Sequence, residues 1–282
     1  MRQVPPLANL YWSQCGLYPG EGEISPFDFE TRVKSAAKAG FAGIGIWATD
    51  LEHTLIGRSL KEMRAILDDN GVEMFEVEFL TDWFVDGARR NESNNRKRRL
   101  LEASAALGAH HVKVGDFYNT PAPMSRLVDE FGALCREAER FGATIGFEFM
   151  ASAMIHTLEG SLTMTAGLKN GGVVVDIVHV MMLGITYEAI AKIPRAQLIS
   201  VELNDGVGRS SPKFDNGATR FYCGEGEFDI AGFIAAVEAT GYADPWAVEV
   251  FGRQLNGMSL AALNARAFET TAAMFREVSA ER

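Results

Sequence analysis

Short runs of apolar, often β-branched residues recur along the chain, and each follows a longer amphipathic stretch that stops at or near a glycine. Ala39-Gly40 precedes Gly43-Ile44-Gly45-Ile46-Trp47, Asn70-Gly71 precedes residues 74–79, Leu107-Gly108 precedes 110–114, and Phe141-Gly142 precedes 144–149. Gly171-Gly172 then leads into Val173-Val174-Val175-Asp176, Ile193-Pro194 into 197–203, and Thr240-Gly241 into 245–250. A glycine supplies the left-handed residue that stops a helix, and a short loop returns the chain to the sheet. With Ala8 to Trp12 as the first strand, eight strands alternate with helices. Three consecutive valines suit a parallel strand buried on both faces. The expected fold is therefore α/β, a single (β/α)8 TIM barrel spanning residues 1–282 as one domain. A doubly wound open sheet is the alternative, weakened because no Gly-x-Gly-x-x-Gly follows a strand.

Local signals agree with this alternation. Ser25-Pro26 is expected to open the first long helix, with Phe29, Val33 and Ala36 on one face. Ser59 and Glu62 form a capping box ahead of Met63, Ile66 and Leu67. The basic run at 86–99 (Arg89, Arg90, Arg96, Lys97, Arg98, Arg99) is expected to be a solvated loop running into a helix. Long strand-to-helix connections at 118–125 and 206–227 mark the end of the barrel where substrate sites are built.

Polar residues that interrupt the apolar runs carry the chemistry. Glu148, Asp176, Glu202 and Glu249 stand at comparable places near the ends of strands five to eight. A parallel barrel brings all of these ends to one rim, so the four can converge. Acids also occur at strand ends simply because solvent is near, and that accounts for any one of them as well as function does. Four together would repel one another and take up protons unless a cation joined them. An all-oxygen donor set favours one divalent ion, Mn²⁺ or Mg²⁺, with Zn²⁺ or Co²⁺ ranked behind. Lys113, near the end of strand four, is expected to bind a substrate oxyanion or carboxylate or to balance the acids, with a lysine snorkelling to the rim as the alternative. Glu78 shares a face with Glu76 on strand three and is a candidate substrate contact, with a salt-bridged core residue as the alternative. Trp12 and Trp47, expected at the ends of strands one and two, could wall a substrate ring face or simply pack.

Composition narrows the function classes. A formal net charge of -10 over 282 residues argues against a nucleic-acid partner. No apolar run reaches the length of a membrane span, so membrane insertion is not expected. The first residues lack an apolar signal core, and a cytoplasmic location is the expectation. Cys15, Cys135 and Cys223 are widely spaced and suit reduced packing positions.

Gly224-Glu225-Gly226-Glu227-Phe228-Asp229, the stretch from Phe233 to Tyr242, and Pro245-Trp246-Ala247-Val248-Glu249 resemble the xylose-isomerase-like TIM-barrel superfamily of sugar isomerases, ketose 3-epimerases, inosose dehydratases and 3-dehydroshikimate dehydratases. Glu148 in Gly146-Phe147-Glu148-Phe149 and Asp176-x-x-His179 also match. The resemblance implies that Glu148, Asp176 and Glu249 bind the metal and that His179 contacts substrate or metal. It places Glu202 at the fourth ligand position, where a His is usual, and makes Arg209 the candidate for an arginine that follows it. Gly45 stands where a Glu is common, and Met154 where 3-epimerases carry an acid. The mechanism so implied is metal-assisted proton abstraction next to a carbonyl, with Glu148 and Glu249 as base and conjugate acid. Returning the proton gives isomerisation or epimerisation of a sugar or polyol-like substrate, and expelling a β-hydroxyl gives dehydration. A non-catalytic binding barrel is the third reading. A small-molecule substrate and a homodimer or homotetramer are the expected partners.

Overall fold

In the computed structural model, which describes residues 4–213, 215 and 219–280, the eight apolar runs are strands of one closed barrel. They are β1 (Leu7–Asn9), β2 (Gly43–Trp47), β3 (Met74–Leu80), β4 (His111–Val114), β5 (Ile145–Glu148), β6 (Gly171–Asp176), β7 (Leu198–Leu203) and β8 (Trp246–Val248). Each is parallel to the next, and β8 pairs with β1 through Leu7–Trp246, Ala8–Ala247 and Asn9–Val248. The helices form the outer layer. Phe29, Val33, Phe131, Phe233 and Phe275 are among the buried residues that seal it against the sheet.

Glycines make the barrel interior deep enough for charged side chains. A Cβ on Gly45 would lie 3.2 Å from Glu78 Oε1 and equally close to the Tyr11 amide. The space left by Gly45, where the resemblance led one to look for a Glu, is thus taken by a carboxylate from the neighbouring strand. Gly146 does the same on β5, where a Cβ would meet Val174 at 2.7 Å and His111 at 2.8 Å.

Three local expectations are corrected. The first strand ends at Asn9, and Tyr11–Cys15 is a short helix closed by Gly16 at φ 62, so Trp12 projects from a helical turn instead of a strand end. The helix Phe29–Ala39 is capped by Asp28, which accepts from the Glu30 and Thr31 amides; Ser25 donates its own amide to Asp50 at 2.8 Å. An Asp carboxylate reaches two orphan amides where the Ser25-Pro26 start lies too far upstream. The basic run 86–99 is helical from its second residue, within Gly87–Leu107, because its cations find acids on flanking helices: Arg90 meets Glu130 at 2.7 Å, Lys97 meets Glu137 at 2.5 Å and Arg99 meets Glu52 at 2.6 Å. The Ser59–Glu62 capping box is present as expected. No helix among the described residues is long and apolar enough to cross a membrane.

Candidate metal centre

Parallel pairing brings the ends of β5 to β8 side by side. Asp176 is in register with Glu202, and Glu202 with Ala247, two residues before Glu249. Glu249 lies just past β8, held there by its amide bond to the Leu203 carbonyl at 3.1 Å. One oxygen from each of Glu148, Asp176, Glu202 and Glu249 lies within 4.8 Å of the others, and all four residues are buried. Sequence spacing and barrel geometry agree on this cluster.

Two permanent cations enter it, one from below and one from above. Lys113 Nζ stands 2.9 Å from Glu202, 2.9 Å from Glu78, 3.1 Å from Glu249, 3.2 Å from Glu76 and 4.0 Å from Glu148. Arg220 reaches down from the loop after β7; its Nη1 donates to Asp176 Oδ2 at 2.6 Å and to Glu249 Oε2, and its guanidinium lies over the Phe251 ring. Asp176 is fixed further by the Val178 amide and by Asn204 Nδ2 at 2.7 Å.

These contacts set the protonation of the cluster. Burial disfavours the charged forms of Glu202 and Asp176 and raises both, Glu202 well above its ordinary value, with Lys113 and Arg220 respectively opposing the shift. For Glu148 burial is again the largest influence, but Lys113, the His179 hydrogen bond and Arg220 outweigh it, so its carboxyl is lowered and ionised at neutral pH. Burial works against charge on Lys113, yet Glu202, Glu249, Glu76 and Glu78 together hold it well above its ordinary value.

Above the acids opens a cavity of about 330 Å³, with Glu78, Glu148, Glu249 and Arg220 on its floor and Trp12, Trp47, Phe79, Phe117, Met150 and Phe251 on its walls. Trp47, Phe79 and Phe117 form a stacked series, Trp47 to Phe79 at 5.8 Å and 21°, Phe79 to Phe117 at 4.7 Å and 20°. Trp12 tilts against Trp47 at 4.9 Å. The β3–β4 register shifts between Glu78 and Leu80, and there the consecutive residues Glu78 and Phe79 both reach the cavity.

The remaining candidates divide. His179 Nε2 lies 3.4 Å from Glu148 Oε1, beside the cluster. Glu78, Trp12 and Trp47 line the cavity. Lys113 is buried beneath it with its ammonium surrounded by protein carboxylates and is not among the residues lining the cavity, a placement that suits charge balance. Arg209 is exposed on the loop, and Arg220 is the arginine in the site; the distance in sequence from Glu202 misdirects because the long 206–227 connection folds back. That fold-back is organised by Asp205, whose carboxylate accepts from the amides of Gly206, Gly224, Gly226 and Phe228. A Cβ on Gly226 would fall 2.4 Å from Asp205 Oδ1, which explains the glycine in the 224–229 motif. Arg220, four residues before that motif, was the signal available.

A divalent ion fits the donor set. Among the described residues, the buried carboxyls of Glu76, Glu78, Glu148, Asp176, Glu202 and Glu249 face only Lys113 and Arg220 as permanent cations. Glu202 Oε2 is buried without a hydrogen-bond partner, a cost that a cation would remove.

Comparison with known proteins places this geometry. A family model described as xylose isomerase-like TIM barrel matches residues 33–278. A 3-dehydroshikimate dehydratase of Pseudomonas aeruginosa is 29% identical over 233 residues, covering 78% of this chain and 36% of its own length. The chain thus spans about a third of the curated relatives it matches. Among solved structures, the IolI protein with a bound zinc atom superposes with a TM-score of 0.84 at 18% identity, over 97% of this chain and 99% of that one. D-psicose 3-epimerase superposes at 0.74 and 17% identity, over 97% and 99%.

Proposed function

The chain belongs to the xylose isomerase-like TIM-barrel family, and from that premise we propose that it is a divalent-metal-dependent enzyme that abstracts a proton next to a carbonyl of a polyhydroxylated ring substrate and expels the β-hydroxyl as water. The observation that carries this reading is that Glu148 and Glu249, from well-separated strands, reach the floor of one cavity whose walls are stacked aromatic rings. Flat walls suit a ring that becomes planar as the double bond forms.

Glu148, Asp176, Glu202 and Glu249 would hold the ion. When bound, it would supply Lewis-acid stabilisation of the negative charge that develops on the carbonyl oxygen. Glu148, ionised at neutral pH, takes the proton from the carbon beside the carbonyl. The electron pair of that C–H bond becomes the new C=C bond, and the β-hydroxyl leaves as water with the proton that Glu148 has taken up, while Glu249 faces the same cavity across from Glu148. His179, 3.4 Å from Glu148, orients the base, and Arg220 keeps Glu249 in place. The similarity to a 3-dehydroshikimate dehydratase supports this outcome.

Epimerisation is the second reading, favoured by the placement of two carboxylates around one cavity and by the shared architecture of D-psicose 3-epimerase. Incubating Mn²⁺-loaded protein with cyclic keto-acids and keto-polyols in D₂O separates the two. A new enone absorbance with loss of water is the expected result. Deuterium incorporation without loss of water would transfer the assignment to an epimerase. Neither signal across both substrate classes would remove both readings and favour a binding barrel.

A further inference from the structure

The acidic cluster has a resident cation of its own. Lys113 Nζ lies within 3.2 Å of carboxylates from β3, β7 and just past β8, and 4.0 Å from that of β5. An ammonium has three hydrogens, so more acids crowd it than it can satisfy at once. It is fully buried, and the residues that line the cavity above do not include it. Its contacts are also selective by atom. It takes Oε1 of Glu202 and Oε1 of Glu249, leaving Glu202 Oε2 buried without a partner and Glu249 Oε2 on Arg220.

We propose that Lys113 is a built-in counter-cation that shares the carboxylate cluster with the divalent ion, holding Glu202 and Glu249 in place when no metal is bound and weakening the grip on the metal when it is. The proposal rests on the metal-binding reading above. Its physical basis is that three cations cannot draw independently on the same buried carboxylates. A fixed positive charge inside the cluster repels an entering divalent ion, strongly so where water is excluded. The same charge spares the empty site the cost of several desolvated acids facing one another. Lys113 is therefore a positioning residue, acting through Glu202 and Glu249.

The test is the thermal midpoint and Mn²⁺ affinity of the wild type and of Lys113→Met, each stripped with chelator and then titrated with Mn²⁺ by calorimetry. Lys113→Met should melt well below the wild type when stripped, recover most of that loss with Mn²⁺, and bind Mn²⁺ about tenfold more tightly or better. If Lys113→Met does not fold when stripped, the charge-balanced Lys113→Met/Glu202→Gln variant decides the matter. It should fold without metal and bind Mn²⁺ more tightly than Glu202→Gln alone, and equal affinity of the two would overturn the proposal. Equal losses for Lys113→Met with and without Mn²⁺, at unchanged affinity, would make Lys113 a packing residue only and overturn the proposal while leaving the metal site standing. Mn²⁺ binding by the variant but not by the wild type would support it in its strongest form. No binding by either protein would overturn both this proposal and the metal reading beneath it.

Discussion

The two halves of the barrel present opposite chemistry at the same rim. β5 to β8 carry one acid each at their ends, Glu148, Asp176, Glu202 and Glu249, and these converge within 4.8 Å. β1 to β4 and the turns just beyond them supply Trp47, Phe79 and Phe117, which stack into a wall, and Trp12, which tilts against it. The acidic half concentrates charge where bonds change, and the aromatic half offers area with little direction. Where a barrel uses one half for chemistry and the other for holding the substrate, damage to the first should appear in kcat and damage to the second in KM.

The sharpest break is Glu148→Gln. It keeps the shape and removes the charge of both a metal corner and the base. Turnover should fall by about 10³-fold, with lower Mn²⁺ content by elemental analysis. Turnover within tenfold of the wild type would move the chemistry out of the acidic half.

Arg220→Met comes next. Arg220 is buried between Asp176 and Glu249, and its removal strands two acids away from water. Breaking such a pair costs about 4 kcal/mol, which denaturant unfolding of the metal-free protein would read. A loss below about 1 kcal/mol would mean that water screens these charges.

The aromatic half is not wholly apolar, and Glu78 marks where the division fails. Burial pushes its carboxyl up to about 8, against the pull of Lys113. Folded protein therefore keeps a proton that the unfolded chain loses near pH 4.5. That contribution is complete below about pH 4.5 and disappears as pH rises through about 8, a decline on the order of 5 kcal/mol. Melting curves from pH 5 to 8.5 should fall for the wild type and flatten for Glu78→Gln. Matching slopes would return Glu78 to an ordinary ion pair.

Trp47→Ala should be milder. It removes the ring that bridges Trp12 and Phe79 but touches no acid. KM should rise about tenfold with kcat nearly unchanged, matching about 1.4 kcal/mol of uniform binding. A larger drop in kcat than rise in KM would show that the wall orients the reacting bond.

The acidic half was legible in the sequence because each acid ends an apolar run, and strand register alone decides where such residues meet. Asp176 and Glu202 needed only the alternation of buried strands to be paired. The aromatic half was less so. Trp12 lies on a helical turn that no local signal separated from a strand, and Phe79 enters the cavity through a register shift that depends on β4. Lys113 was recognisable as unusual inside an apolar strand, but its partners come from β3, β5, β7 and just past β8, and five carboxylates around one ammonium is a property of closure alone.

The smallest expected effect tests how position in the chain relates to position in the site. Arg209 follows Glu202 closely in sequence and is exposed, whereas Arg220 is farther along and lies in the cluster. Asp205 produces this inversion by gathering the amides of Gly206, Gly224, Gly226 and Phe228, which folds the connection back over the mouth. An exposed arginine without a buried partner contributes little to stability, within about 0.5 kcal/mol. Arg209→Ala should leave kcat, KM and the thermal midpoint within about twofold or a degree or two of the wild type. A tenfold rise in KM would instead mean that the loop closes over bound substrate and carries Arg209 into the cavity, which would give the site a second arginine and make the acidic half the side from which the lid descends.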